Sequence, residues 1–240
     1  MIAAAADAGR MLTVGHIERF NPAVRELRRR LDAGELGRIF QVHATRLGPL
    51  PARIRDVGVV VDLAPHDLDV MRYLVGSEPI RIYAETERRI HTEHEDLFNG
   101  IMKFANGVIG ILDINWLTPT KRRTLTVTGE RGMYVADYLA QDLVFYANPE
   151  AAETWQNRGA DGFGAPITSV AEGEMTRRPI RREEPLAVEL TAFAEAVRDG
   201  GPPPVEPHDA MVALLLARKM VESALSGQVV DGAALAEALT

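Results

Sequence analysis

An aspartate and a histidine four residues apart, Asp62 and His66, are the pair in this sequence with the clearest chemical use. If a helix begins near Asp62, the two side chains lie one turn apart on the same face and within reach of each other. A carboxylate that accepts the proton of one ring nitrogen fixes the tautomer and leaves the other nitrogen free as a base. The pair therefore predicts a general acid/base that takes a proton from a hydroxyl group. The alternative is that Asp62 only caps the helix and His66 is a packed core histidine.

The segments around this pair indicate how it is held. An apolar run from Val57 to Leu63 predicts a buried segment that brings the pair to the mouth of a cleft, and a helix is predicted from Asp62 to Gly76. Pro65 is compatible with that helix, because the first N–H groups of a helix have no partner within it. The buried stripe of the helix is predicted to consist of Leu68, Met71, Leu74 and Val75.

The composition is that of an ordinary soluble protein and excludes several kinds of function. Of 240 residues, 46% are hydrophobic and 25% are charged, which is enough apolar material for a substantial core. The net charge of -7 argues against general binding to nucleic acid or to an anionic membrane. The absence of cysteine excludes disulfides and thiolate nucleophiles. Because the N-terminal residues MIAAAADAGR do not resemble a signal peptide and no long apolar run is present, we expect a cytoplasmic location.

Apolar and alternating segments predict a large sheet in the middle of the chain. Tight turns at 105–107 and 129–132 are typical of hairpins, and strands joined by short turns are antiparallel. The region from 38 to 147 is therefore predicted to be an antiparallel sheet with the helix after Asp62 on one face, which makes an α+β domain. The predicted strands are 39–47, 80–90, 97–104, 108–117, 124–128, 133–138 and 143–146.

Helices are predicted before and after this sheet. Asn21 is a good N-cap, Pro22 suits the first helical position, and Gly34 ends the segment. Residues 149–185 are rich in Gly, Pro and charge, which predicts a long surface loop with one strand near 176–181. The chain is predicted to close with two amphipathic helices, at 186–198 and about 208–226.

The N-terminal residues predict an isolated pair of elements. Residues 1–9 are rich in alanine and predict a helix, and residues 11–15 predict a short buried strand. A single helix and a single strand have nothing to pack on unless a parallel sheet precedes them. We therefore expect residues 1–15 to be the remnant of such a domain and residues 16–240 to form the second domain.

Five motifs occur in order along nearly the whole chain: VGHIERFNPAV (14–24), GELGRI (34–39), RLGPLPARIRDVGVVVDLAPHDLDVMRYLVG (46–76), NWLTPTKRRTLTVTGERG (115–132) and EPLAVELTAFAEAVRDGGPPPVEPHDA (184–210). Together they resemble the second half of Gfo/Idh/MocA oxidoreductases. The resemblance implies a C-terminal antiparallel sheet domain that follows an N-terminal Rossmann domain, of which residues 1–15 would be the last helix and strand. It also implies oxidation or reduction of a ring hydroxyl on a sugar or a nucleotide sugar, such as UDP-N-acetylglucosamine, with NAD or NADP.

The resemblance assigns roles to the central pair and shows a departure from the family pattern. It implies that His66 accepts or donates the hydroxyl proton and that Asp62 orients it. The family's Gly-x-Gly-x-x-Gly turn and its Glu-Lys-Pro element are both missing from this sequence. The glycines at 159, 162 and 164 have the wrong spacing and lie in the late loop, where no strand precedes them. We therefore expect the main cofactor site to be absent from this chain and its autonomous turnover to be low.

Further site residues are predicted with an alternative for each. The resemblance implies that His16 and Arg19 lie beside the cofactor and Asn21 beside the substrate, although a loop histidine without function is an equal alternative at 16. The planar guanidinium groups of Arg46, Arg53 and Arg55 suit a diphosphate, but surface salt bridges would explain these three arginines nearly as well. Trp116 is a predicted stacking face or, alternatively, a core or interface residue. The remaining predicted substrate contacts are Arg46, Arg53, Arg55 and Lys121.

Two further predictions concern metals and partners. His91 and His94 are three residues apart in an extended segment, so they point to opposite faces and no metal site is predicted. The resemblance implies a homo-oligomer through the free face of the sheet. The alternative to an enzyme is a non-catalytic remnant that binds a sugar or mediates oligomerisation.

Overall fold

The computed structural model describes residues 1–52, 54, 56–91, 93–148, 173–232 and 235. These residues form a large, mostly antiparallel sheet with helices packed against it, which confirms the predicted α+β class. The helices are α1 (Ile2–Asp7), α2 (Pro22–Asp32), α3 (Val59–Val75), α4 (Pro185–Asp199) and α5 (Pro207–Ser226), and a short 3-10 helix covers Ile17–Phe20. Within these ranges the helices are all too short or too polar to span a bilayer.

The sheet has nine strands in the order β8-β7-β6-β5-β1-β4-β3-β2-β9. The predicted hairpins at 105–107 and 129–132 are confirmed, since they join β3 to β4 and β5 to β6. The strands are β1 (Ile39–Pro49), β2 (Pro79–Glu87), β3 (Leu97–Phe104), β4 (Ile109–Asn115), β5 (Leu117–Gly129), β6 (Gly132–Asp137), β7 (Asp142–Ala147), β8 (Met175–Arg178) and β9 (Val230–Asp231).

One face of the sheet is covered by helices and forms the core. Helix α3 packs on β1, β3 and β4, α5 packs on β2 and on α3, and α2 packs on β6 and β7. A row of directly paired residues crosses this face and is fully buried, and it consists of Ala84, Gly100, Leu112, Ala44, Leu125, Ala136 and Leu143. Burial of this apolar row, together with the rest of the core, stabilises the fold.

The opposite face of the sheet carries apolar residues that are only partly covered. Ile101 is exposed, and its cross-strand neighbours Tyr83 and Ile111 are half-buried. The sequence resemblance predicts that this face pairs with another copy of the chain, and this stays a prediction.

The antiparallel prediction is wrong for one pair of strands. Strands β1 and β4 are parallel, with Ala44 opposite Leu112. Helix α3 follows β1 and separates it from the next strands in the sequence. Strands β2, β3 and β4 then form an antiparallel meander, and the last of them, β4, runs in the same direction as β1. Hairpin signals report only strands that are consecutive in the sequence, and this pair is not consecutive.

The N-terminal prediction is confirmed only in part. A helix forms at Ile2–Asp7, but residues 11–15 pair with no strand in the described part of the chain. Thr13 instead donates its hydroxyl to the carbonyl of Val205 at 2.9 Å. An apolar run forms a strand only when another strand is available to pair with it, and the sequence of the run does not show whether such a strand is present.

The turn between β5 and β6 depends on Gly132, whose φ is +151°. A side chain at this position would collide with the carbonyl oxygen of Tyr146 and with the ring of Phe145. Gly107 also has a positive φ, of +91°, but nothing lies within 4 Å of the place where its side chain would be. A side chain at Gly107 would therefore introduce backbone strain alone, whereas a side chain at Gly132 would add a steric collision.

We predict that Gly132→Ala lowers the free energy of unfolding by about 2–4 kcal/mol, because strain and overpacking add. Gly107→Ala, which suffers strain alone, is expected to cost about 1 kcal/mol. Urea denaturation followed by circular dichroism measures both. Equal losses in the two variants would show that the collision at Gly132 is relieved at no cost.

Candidate active site

Helix α3 carries the predicted pair but begins earlier than the sequence indicates. It starts at Val59, with Gly58 as its N-cap, and ends at Gly76 in the left-handed conformation. Pro65 is therefore inside the helix rather than in its first turn, and its missing N–H leaves one backbone carbonyl of the preceding turn without a helical partner. Asp62 and His66 still lie one turn apart on this helix.

A buried ion-pair cluster fixes α3 to the sheet next to His66. Arg46 on β1 donates two hydrogen bonds to the carboxylate of Asp67, at 2.6 and 3.0 Å, and a third to Glu18 at 3.0 Å. All three side chains are less than one-tenth exposed. Arg123 on β5 approaches the same Glu18 carboxylate at 3.9 Å. Two carboxylates facing two guanidinium groups make this cluster electrically balanced.

A second cluster holds the next turn of α3. Arg19, in the 3-10 helix, makes a bidentate pair with the fully buried Asp69, at 2.6 and 2.7 Å, and also reaches Asp209 on α5 at 2.9 Å. The ring of His16 lies next to the same carboxylate, with its Nδ1 atom 3.5 Å from Asp69 Oδ2. The 3-10 helix before α2, helix α3 and helix α5 therefore meet at Asp69.

His66 lies between these clusters and is half-buried. Burial lowers its pKa below the ordinary 6.5 and the charge of Arg46 lowers it further, against the opposite effects of Asp67, Glu18 and Asp62. Its imidazole is therefore neutral at pH 7, which is the state that accepts a proton.

His16 is the nearest aromatic neighbour of His66 among the ring pairs of the described residues. The ring centroids are 6.3 Å apart, with an edge-to-face angle of 72°. His16 is only 5% exposed, and burial lowers its pKa despite the opposing charge of Asp69. The Nδ1 atoms of both rings are buried and have no hydrogen-bond partner.

The Nδ1 atom of His66 has no hydrogen-bond partner, so Asp62 does not orient the ring by accepting a proton from this atom. Asp62 acts on the ring through its charge, which raises the pKa of His66. The predicted orienting role of Asp62 is thus still a prediction.

A cavity of about 300 Å³ opens beside the first turns of α3. It brings together four of the residues predicted from the sequence, namely Arg46, Asp62, Trp116 and Lys121. Leu63 on α3 and Arg123 on β5 also line it. These residues come from β1, α3, β5 and the turn before β5, so the cavity lies where the ends of the strands meet the helix.

The other predicted site residues lie in different surroundings. Both polar ends of Asn21 are engaged inside the fold, since its oxygen caps α2 at the amide of Ala23 and its amide donates to the carbonyl of Tyr138, each at 3.1 Å. Asn21 therefore starts a helix and does not enter our proposal as a substrate contact. Arg53 and Arg55 lie outside the described residues.

The residues that sequence reasoning missed are the buried acids. Asp67 and Asp69 lie one and three residues after His66, and a sequence pattern that treats charged residues as solvent-facing does not show that they are buried. A signal was present, because a helix with acids on its otherwise apolar face needs basic partners, and Arg19 and Arg46 lie in the quoted motifs.

The segment with His91 and His94 forms a closed loop. Nδ1 of His91 accepts the amides of Glu93 and His94, at 3.2 and 3.0 Å, and the ring centroids of His91 and His94 are 5.3 Å apart, so the expectation that they point to opposite faces is wrong. In the described residues there is no group of three or more His, Asp or Glu side chains placed to hold a metal ion.

Residues 24–135 match the family description GFO/IDH/MocA C-terminal domain. The sheet and the helix that carries Asp62 and His66 lie mainly within this range, so the match includes the part of the chain that holds the candidate site. The sequence resemblance to this family is confirmed.

Relatives and solved structures agree with this assignment. The chain is 27% identical over 197 residues to UDP-N-acetylglucosamine 3-dehydrogenase of Acidithiobacillus ferrooxidans, covering 82% of this chain and 57% of that protein. It is 23% identical to myo-inositol 2-dehydrogenase of Thermotoga maritima, covering 92% of this chain and 65% of that protein. The crystal structure of the A. ferrooxidans enzyme superposes with a TM-score of 0.76 at 21% identity, covering 98% of this chain and 66% of that one. The chain therefore spans about three-fifths of the length of these relatives.

We predict that both His16 and His66 titrate below pH 6.5, because burial penalises the charged ring. The unfolded chain then binds protons before the folded chain does, so the stability contributed by these rings is complete above pH 6.5 and is lost as the pH falls below it. NMR titration of the histidine ring protons measures the pKa values, and urea denaturation between pH 5 and 7.5 measures the loss. A His66 pKa above 6.5 would contradict the buried, neutral ring.

We predict that Arg46→Met lowers the free energy of unfolding by about 3–5 kcal/mol, because it leaves Asp67 and Glu18 buried and unpaired. Arg122→Met, at an exposed position on the same strand as Arg123, is expected to change it by less than about 0.5 kcal/mol. Urea denaturation at pH 7 compares the two. An equally small effect at Arg46 would mean that its guanidinium is free for a ligand.

Proposed function

We propose that this chain is the substrate-binding part of a nicotinamide-dependent oxidoreductase that acts on a ring hydroxyl of a sugar or nucleotide sugar. The observation that carries the proposal is the neutral, half-buried His66 on a helix whose first turns border a cavity of mixed polarity. A polyhydroxylated ring needs both donors and acceptors, and this cavity offers cations at Lys121 and Arg123 and a carboxylate at Asp62.

The proton step is assigned to His66. The neutral imidazole takes the proton of the substrate hydroxyl while the carbinol carbon loses its hydride, and the product is a carbonyl compound and an imidazolium. Arg46 disfavours that imidazolium and Asp67, Glu18 and Asp62 favour it, so the ring can release the proton again after each turnover. Asp62 has the role of orienting the ring when a substrate completes the site.

The nicotinamide cofactor fits one part of this chain. A bound NAD or NADP would supply the hydride acceptor. His16 is the residue best suited to border the nicotinamide, because its ring lies beside that of His66 and its Nδ1 makes no hydrogen bond, with Asp69 Oδ2 as its ion-pair neighbour at 3.5 Å. Arg19 is committed to Asp69 and Asp209 and would act by holding His16 and α3 in place. Related structures include a levoglucosan dehydrogenase in complex with NADH, with a TM-score of 0.75 at 21% identity.

The phosphate end of a dinucleotide has no counterpart in the sequence, which lacks a Gly-x-Gly-x-x-Gly turn after a strand. The substrate proposal draws on the relatives, which are named as dehydrogenases of a nucleotide sugar and of inositol. Between the two, the cationic side chains of Lys121 and Arg123 favour a substrate that carries a phosphate group.

We predict that His66→Ala lowers the turnover rate by about 100-fold or more in an enzyme that carries this chain with a nucleotide-binding domain, because the general base is lost. His208→Ala is the matched control, since His208 is exposed at the start of α5. The assay follows NADH or NADPH formation with UDP-N-acetylglucosamine and with myo-inositol.

Two results would count against the proposal. A near-full rate in His66→Ala would remove this residue from the mechanism. Saturable binding of a sugar ligand to the wild-type form of that complete enzyme, with NAD or NADP supplied and without any turnover, would favour the non-catalytic sugar-binding alternative.

A further inference from the structure

Helix α3 begins without a side-chain cap from its own N-cap residue, because that residue is Gly58. The first N–H groups of a helix have no partner inside it and must be satisfied from elsewhere. Here two of them are satisfied by Glu95, which lies far along the chain in the loop before β3. Its carbonyl accepts the amide of Val59 at 2.9 Å, and its carboxylate accepts the amide of Val60 at 3.3 Å.

The space for this carboxylate exists only because residue 58 is glycine. A β-carbon built on Gly58 would collide with the carboxyl group of Glu95 itself. A negative charge at this end of a helix is also favourable, because it meets the positive end of the helix dipole. Gly58 and Glu95 therefore form a matched pair, in which the absent side chain of one is replaced by the carboxylate of the other.

Glu95 is in turn held rigidly by the next residue. Asp96 is fully buried and accepts the backbone amides of Arg89, Ile90 and His91, at 2.9, 2.5 and 2.8 Å. Burial opposes its ionisation, but these amides outweigh burial and lower its pKa. Its carbonyl accepts the amide of Trp116 at 2.9 Å. The dipeptide 95–96 thus connects the start of α3 to the opposite wall of the cavity.

This connection contacts the N-terminal half of α3, which the two ion-pair clusters do not contact. The clusters grip α3 at Asp67 and Asp69, after His66, whereas Asp62 lies in the first turns, before it. A helix is stiff between two fixed points and frays toward a free end. The contact with Glu95 supplies the second fixed point, so that Asp62 and His66 lie between the two.

We propose that Glu95 is a positioning residue for the site, which fixes the start of α3 and thereby the placement of Asp62 at the cavity and of His66 one turn further along the helix. The value of this for catalysis rests on the proposed function, but the positioning itself is measurable without turnover. Glu95 does not line the cavity, and it acts through the first turn of the helix.

The test uses the 240-residue protein and two readouts, amide hydrogen exchange at Val59 and Val60 and the NMR-measured pKa of His66. In Glu95→Ala the amide of Val60, which loses its carboxylate acceptor, is expected to exchange about 5-fold faster or more, as for the loss of a helix cap, whereas the amide of Val59 keeps its backbone carbonyl acceptor and serves as the internal reference. The pKa of His66 is expected to rise toward its ordinary value, because a loosened helix start admits water to the ring.

Three further variants complete the test. Glu95→Gln keeps an acceptor oxygen and is expected to retain exchange rates within about 2-fold of wild type. Gly58→Ala, which displaces the carboxylate, is expected to behave like Glu95→Ala. Glu93→Ala, an exposed glutamate in the same loop, is the matched control and is expected to change neither readout.

The outcomes separate this proposal from the proposed function. Unchanged exchange and an unchanged His66 pKa in Glu95→Ala, or a Glu95→Gln variant as defective as Glu95→Ala, would overturn the positioning role. A lower melting temperature with an unmoved His66 pKa would also overturn it, since it would indicate a purely structural residue. A complete enzyme that is inactive on every sugar, with the expected NMR changes present, would instead refute the function and leave the positioning role intact.

Discussion

The buried pair between Arg46 and Asp67 is the interaction on which the arrangement of the site depends. It fixes helix α3 to the central strand of the sheet immediately after His66, and its positive charge adds to the effect of burial, which lowers the pKa of His66 most. The same guanidinium also binds Glu18, which belongs to the segment before α2. Structure and acid/base chemistry thus share one group, and neither can be changed without the other.

The elements whose information is local were predictable. Period-two alternation and glycine turns located the strands and hairpins between 39 and 147, and Asn21 with Pro22 located the start of α2. The start of α3 was not predictable, because its cap comes from a loop that is distant in the sequence and its own N-cap is a glycine. The parallel pairing of β1 with β4 was missed for the same reason, since it is decided by what lies between them.

For the site, the types of residue were more informative than their predicted partners. The sequence motifs led to Arg46, Asp62, Trp116 and Lys121, which border one cavity, but they did not show that Arg46 is also ion-paired inside the fold. A single sequence shows which charged residues exist, but not which of them form ion pairs in the folded protein. Here Asp67 and Asp69 pair with Arg46 and Arg19, and only the three-dimensional packing shows that these two acids are buried.

The position of β1 has a consequence for how this chain reaches its native state. Its two neighbours, β4 and β5, follow each other in the sequence, so β1 is inserted between strands that are made some sixty residues later. Neither edge of β1 can pair until those strands exist, and contacts across such separations form slowly. During synthesis this strand is an open template on both sides, which makes it the segment most exposed to wrong pairing and a natural client for chaperones.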